Sequence, residues 1–131
     1  MTLVVALGGC STLYSRTVDQ GDEAAALGKW DDAAVVYADS DDYPAIADVT
    51  AGFVYARLQR SREAEPAGYS PAELDQWAAS ATTWAAGGVP DDLPTFGDGK
   101  PKKVKRDAFI FMIAGDKVRA PAAAQALIGR L

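Results

Sequence analysis

"AIADVTAGFVYARLQRSREAE", residues 45–65, is the segment on which the architecture turns. Ile46, Val49, Phe53, Ala56 and Leu58 fall along one stripe at helical spacing, which predicts one helix or two. Upstream, "KWDDAAVVYADS" (29–40) places Trp30, Ala33, Ala34, Tyr37 and Ala38 at i, i+3, i+4, i+7 and i+8, again one apolar helix face. "SDDYPA" stops that run, because Tyr43 precedes Pro44 and is pushed out of the helical region. Downstream, Ser70, Pro71 and Glu73 form a capping box with proline at the first helical position. The helix they open carries Leu74, Trp77, Ala78, Ala81 and Trp84 on one face and stops at Gly87-Gly88.

Two apolar runs suit strands. "TLVVAL" (2–7) is either a first strand or the end of a signal's apolar region, and "AFIFMIA" (108–114) is a buried strand. Between the capped helix and the second run lies the long loop "VPDDLPTFGDGKPKK". A short helix starting at Pro121 closes the chain. The fold class expected is mainly α: helical hairpins, repeat-like or a small bundle, with one or two short strands at 2–7 and 108–114.

The chain of 131 residues fits a single domain. Within it the segments are 1–10, 14–66 with repeat-like helices, and 67–131 with helix, long loop, strand and short helix. The single cysteine excludes an internal disulfide. The absence of histidine excludes histidine-based metal sites and Ser-His-Asp or Cys-His catalysis. No metal and no cofactor is expected. Charge is uneven: residues 1–50 hold two basic and nine acidic groups, while 99–131 hold eight and two. An acidic chain overall argues against nucleic acid as a partner.

A shift of 31 residues lays "GDEAAALGKWDDAA" (21–34) on "GFVYARLQRSREAE" (52–65), matching Gly21 with Gly52, Ala25 with Ala56, Leu27 with Leu58 and Ala33 with Ala64. With Gly28 at a turn, Tyr37 one turn beyond the crossing and Pro44 near the end, the pattern resembles the tetratricopeptide repeat over residues 14–66. The resemblance implies paired helices and a concave groove for protein partners. Val49, Phe53 and Arg57 would line that groove.

Cys10 ends "LGGC" (7–10), which resembles the bacterial lipobox. That resemblance implies a lipid attached at Cys10, a cell-envelope location on the periplasmic face, and membrane contact through the lipid alone. Since "MTLVVALGG" has no positive lead, a signal reading requires a front that this sequence lacks. If residues 2–7 are instead a strand, the location expected is cytoplasmic. Cys10 and Arg16 also form C-x5-R, "CSTLYSR", which resembles the phosphate loop of cysteine-dependent phosphatases, with Asp91 or Asp92 as general acid. That loop needs unusual backbone angles, and no glycine lies between Cys10 and Arg16 to take them.

"KPKKVKR" gathers Lys100, Lys102, Lys103, Lys105 and Arg106 into a basic patch. It suits an anionic surface or offsets the acidic half of the chain. The function expected is a non-catalytic protein-interaction or scaffold domain, with no catalytic residue. The alternatives are a structural subunit of a larger assembly that uses the basic C-terminal segment, and the phosphatase.

Overall fold

The computed structural model describes residues 3–7, 34–97 and 101–131. Four strands, β1 (Leu3–Leu7), β2 (Val36–Asp39), β3 (Phe53–Leu58) and β4 (Asp107–Met112), form one sheet in the order β1-β4-β3-β2. Every neighbouring pair is parallel: Leu3 lies opposite Ala108, Val36 opposite Tyr55, and Phe53 opposite Asp107. Two helices complete it, α1 (Pro71–Ala85) and α2 (Asp116–Ile128). The architecture is therefore α/β, not mainly α.

The correction has a local cause. "FVYARL" buries Val54, Ala56 and Leu58 and leaves Phe53, Tyr55 and Arg57 less buried, the period of two that a pleated strand produces. Aromatic and β-branched residues at three of the five positions in each of "FVYAR" and "VVYAD" favour that pleat. Any stripe drawn through Ile46, Val49, Phe53, Ala56 and Leu58 joins a loop to both faces of β3. Tyr37 and Ala38, assigned above to a helix face, lie in β2 on opposite sheet faces.

Parallel neighbours need long crossovers. Residues 40–52 make the β2–β3 crossing without a helix or strand. Ala47 is buried there, its N–H donating to the Pro94 carbonyl at 2.8 Å. The Asp48 carboxylate accepts from the N–H groups of Phe96 and Gly97 at 2.8 and 2.7 Å, which holds the later loop against this crossing. The β3–β4 crossing carries α1. Ser70 caps it: its hydroxyl accepts from the Glu73 N–H, while the Glu73 side chain accepts from the Ser70 N–H. Gly87 ends it with φ of +95°, and a Cβ at that position would run into the Val104 backbone. The last helix starts at Asp116 rather than Pro121, which lies inside α2 and removes one backbone donor there.

The core lies between the helices and one sheet face. Trp84, Leu58, Ile110, Met112 and Leu127 are fully buried. Tyr37 tilts against Trp77 and Trp84 with ring centroids 5.8 and 5.7 Å apart, so the tryptophan pair of α1 serves the core. Ala78, Ala81, Ala120, Ala123 and Ala124 keep both helices close to the sheet. The opposite face carries Val36, Phe53, Tyr55, Arg57, Phe109 and Phe111. Phe53 meets Phe109 edge-on at 6.0 Å, and Tyr55 stacks on Phe111 at 4.5 Å.

Candidate functional site at the carboxyl edge of the sheet

With all strands parallel, their carboxyl ends share one edge, and the helix that follows β4 begins there. Asp39 ends β2, and its side chain is only 10% exposed. Arg60 lies two residues beyond β3. Its Nη1 is 3.3 Å from the Asp39 carboxylate, and its Nη2 lies 3.0 Å from both the Asp41 carboxylate and the Ser40 carbonyl. Backbone bonds extend the pairing past the strands: Gln59 N–H to Asp39 carbonyl at 2.9 Å, and Ile113 N–H to Leu58 carbonyl at 3.0 Å. The polar side chains beyond the strands are thereby set on a rigid frame.

Burial raises the Asp39 pKa above the usual carboxylate value, and Asp41 and Glu73 add to this while Arg60 opposes it. Tyr37 is pushed up to about 12, first by burial and then by Asp39. Tyr69 is raised too, by burial and again by Asp39. Its phenolic oxygen is buried near the Arg60 backbone without a partner of hydrogen-bond geometry. Beside them Arg62 pairs through both terminal nitrogens with Glu73, one contact being Nη1 to Oε1 at 2.6 Å. That pairing, helped by Ser70, lowers Glu73 to about 2. At the start of α2, Gly115 has φ of +104° and gives no side-chain cap. The Ser61 hydroxyl, buried and without a partner, packs where a Gly115 side chain would have to go. The edge thus offers an acceptor of raised basicity, an exposed guanidinium and buried hydroxyls. Among the described residues no group of three or more Cys, Asp or Glu could hold a metal ion.

A family model described as "Protein of unknown function DUF72" matches residues 18–131. The chain belongs to the DUF72 family. No curated protein and no solved structure matches the chain significantly. The DUF72 match and the parallel sheet replace the tetratricopeptide and lipoprotein readings. The apparent 31-residue repeat aligned a segment containing the strand β3 with an upstream stretch, and two of its four matches are alanines in an alanine-rich chain. The matched region starts after Cys10.

The structure separates the residues singled out from sequence. Cys10, Arg16 and Lys100 lie outside the described residues. Val49 sits in the β2–β3 crossing, packed against the core, and with Phe53 it lines a small cavity of about 10 Å³. Arg57 is four residues along β3 from Phe53, roughly 13 Å away at strand rise, and faces away from the helices. These three do not line one groove. Lys102, Lys103 and Lys105 are exposed at the amino end of β4, whereas Arg106 is 6% exposed. Asp92 accepts from Gln76 at 2.6 Å, beside an open groove of about 300 Å³ that Asp91, Ser80 and Thr83 also line. Among the described residues no helix is long and apolar enough to cross a membrane.

Sequence reading missed Asp39, Arg60, Tyr69 and Ser61. The signal was present: "VVYADS" and "FVYARLQR" both pass from four consecutive apolar residues into a mostly polar stretch, as parallel strands do at their carboxyl ends.

Proposed function

We propose that this DUF72 domain binds a small polar molecule at the carboxyl edge of its sheet, with Asp39 and Arg60 as the contacts. One observation carries the reading: a buried carboxylate at the end of β2 is held by a half-exposed guanidinium from the end of β3. Open parallel sheets bind ligands beyond their strand carboxyl ends. Arg60 suits a carboxylate group. Asp39 accepts a hydrogen bond from a hydroxyl or an ammonium. The ligand class is therefore a small hydroxy acid or amino acid. The role is binding, with no covalent step assigned to any residue.

Thermal unfolding of the chain with L-lactate and L-serine tests this. A rise in midpoint for either ligand that Asp39→Asn and Arg60→Ala both abolish supports the reading. No rise with either, or a rise that both variants keep, removes it.

A second reading places a protein contact on the face that carries Phe53 and Arg57. It is favoured by the ring pairs Phe53–Phe109 and Tyr55–Phe111 on that face. Sedimentation of the chain against its Phe53→Asp variant is the check: a lost complex supports it, identical profiles oppose it.

A further inference from the structure

The β2–β3 crossing has neither helix nor strand to carry its backbone hydrogen bonds, yet Ala47 within it is buried. Among the described residues, no backbone N–H donates to a carbonyl between Ile46 and Val49. The small cavity of about 10 Å³ is walled by this stretch, by Tyr37 and Val54 of the sheet, and by Trp84 of α1. Trp84 is fully buried, and its Nε1–H has no hydrogen-bond acceptor. An indole N–H can only donate. Burial without an acceptor forfeits its hydration, and buried donors of this kind nearly always have a partner, either protein or ordered water.

We propose that this cavity is a specific water-binding site, in which one water accepts from the Trp84 Nε1–H and donates to carbonyl oxygens of residues 46–49. The size selects the ligand: roughly 10–15 Å³ holds a single water, which needs two to four polar partners to stay. Anything larger does not fit. The Asp48 carboxylate is not the anchor, because it already accepts from the Phe96 and Gly97 N–H groups. Thr50 Oγ1 is also engaged, accepting from the Val35 N–H at 2.9 Å. The bridging water joins α1 to a crossing without regular structure, and such a bridge is nearly as favourable as a direct hydrogen bond. Neither Asp39 nor Arg60 lines the cavity, so the site is separate from the carboxyl edge.

Water is the probe, in the full chain. Rotating-frame cross-relaxation from water to the assigned Trp84 Nε1–H resonance is recorded, because its sign separates through-space contact from proton exchange. The expected result is a direct contact with a long-lived water at that resonance. Oxygen-17 relaxation dispersion counts long-lived waters, and Trp84→Phe, which removes the donor and keeps an aromatic ring, should lower that count by about one. No through-space water contact at the Trp84 Nε1–H of the wild-type chain overturns the proposal and needs no variant to fold. A count that Trp84→Phe leaves unchanged also overturns it.

Discussion

Arg60 Nη1 lies 3.3 Å from the Asp39 carboxylate, so one ion pair joins the carboxyl ends of two adjacent parallel strands. The two partners are unequal: the Asp39 side chain is 10% exposed and that of Arg60 is 51% exposed. Removing either one should therefore have different effects. Arg60→Ala leaves a buried carboxylate without its counter-charge and should cost about 1–3 kcal/mol at neutral pH. Asp39→Asn frees an arginine that water can solvate and should cost under about 1 kcal/mol. Urea unfolding of both variants at pH 7 checks the order.

The charge on Asp39 also sets a pH signature. Because burial raises its folded pKa above 3.8, its contribution favours folding below the unfolded value and is lost as pH rises through the folded one. Glu73 works in the opposite sense. Its folded value near 2 lies below 4.5, so its stabilisation is present above 4.5 and disappears as pH falls toward 2. Acid unfolding of Glu73→Gln should be less steep between those values than that of the wild-type chain. Ser70→Ala, which removes the hydroxyl of the same cap, should cost about 1 kcal/mol at neutral pH.

Tyr37 and Tyr69, both raised by burial, shape the alkaline limb together. The folded pKa of Tyr37 is near 12 against 10.0 unfolded, so its contribution is intact below 10.0 and falls as pH rises toward 12. Tyr37→Phe should flatten that loss while keeping the packing on Trp77 and Trp84. Chemical denaturation at steps from neutral pH to strongly alkaline pH checks it.

Gly115 is the turn that lets α2 start directly after β4. With φ of +104°, and with Ser61 and Arg119 lying where a Cβ would sit, Gly115→Ala should cost roughly 1–3 kcal/mol. Gly129→Ala, at negative φ with ordinary contacts, is the control and should cost little. Thermal unfolding of the two variants separates the effects.

How much of this was legible depends on the residue. Ser70, Pro71 and Glu73 announce α1 because a cap is a local device, settled within four residues. The run at 108–114 is continuously apolar and forms β4 over Asp107–Met112, a central strand buried on its helix face. The stretch "FVYARL" was misread because alanine and leucine fit a helical stripe as readily as a pleated face. Only its pairing with β2 and β4, up to 54 residues away in sequence (Phe53 with Asp107), resolves that ambiguity. The Asp39–Arg60 pair was invisible for the same reason: its partners are 21 positions apart and meet only when the two strands align.

The central claim is that the carboxyl edge of the sheet binds a small polar ligand. Backbone amide shifts of the full chain, recorded during titration with L-serine and with L-lactate, test it most directly. Saturable shifts concentrated at Asp39–Asp41, Gln59–Ser61 and Ile113–Gly115 are the predicted result. Shifts confined to residues 101–106, or none for either ligand, would contradict it.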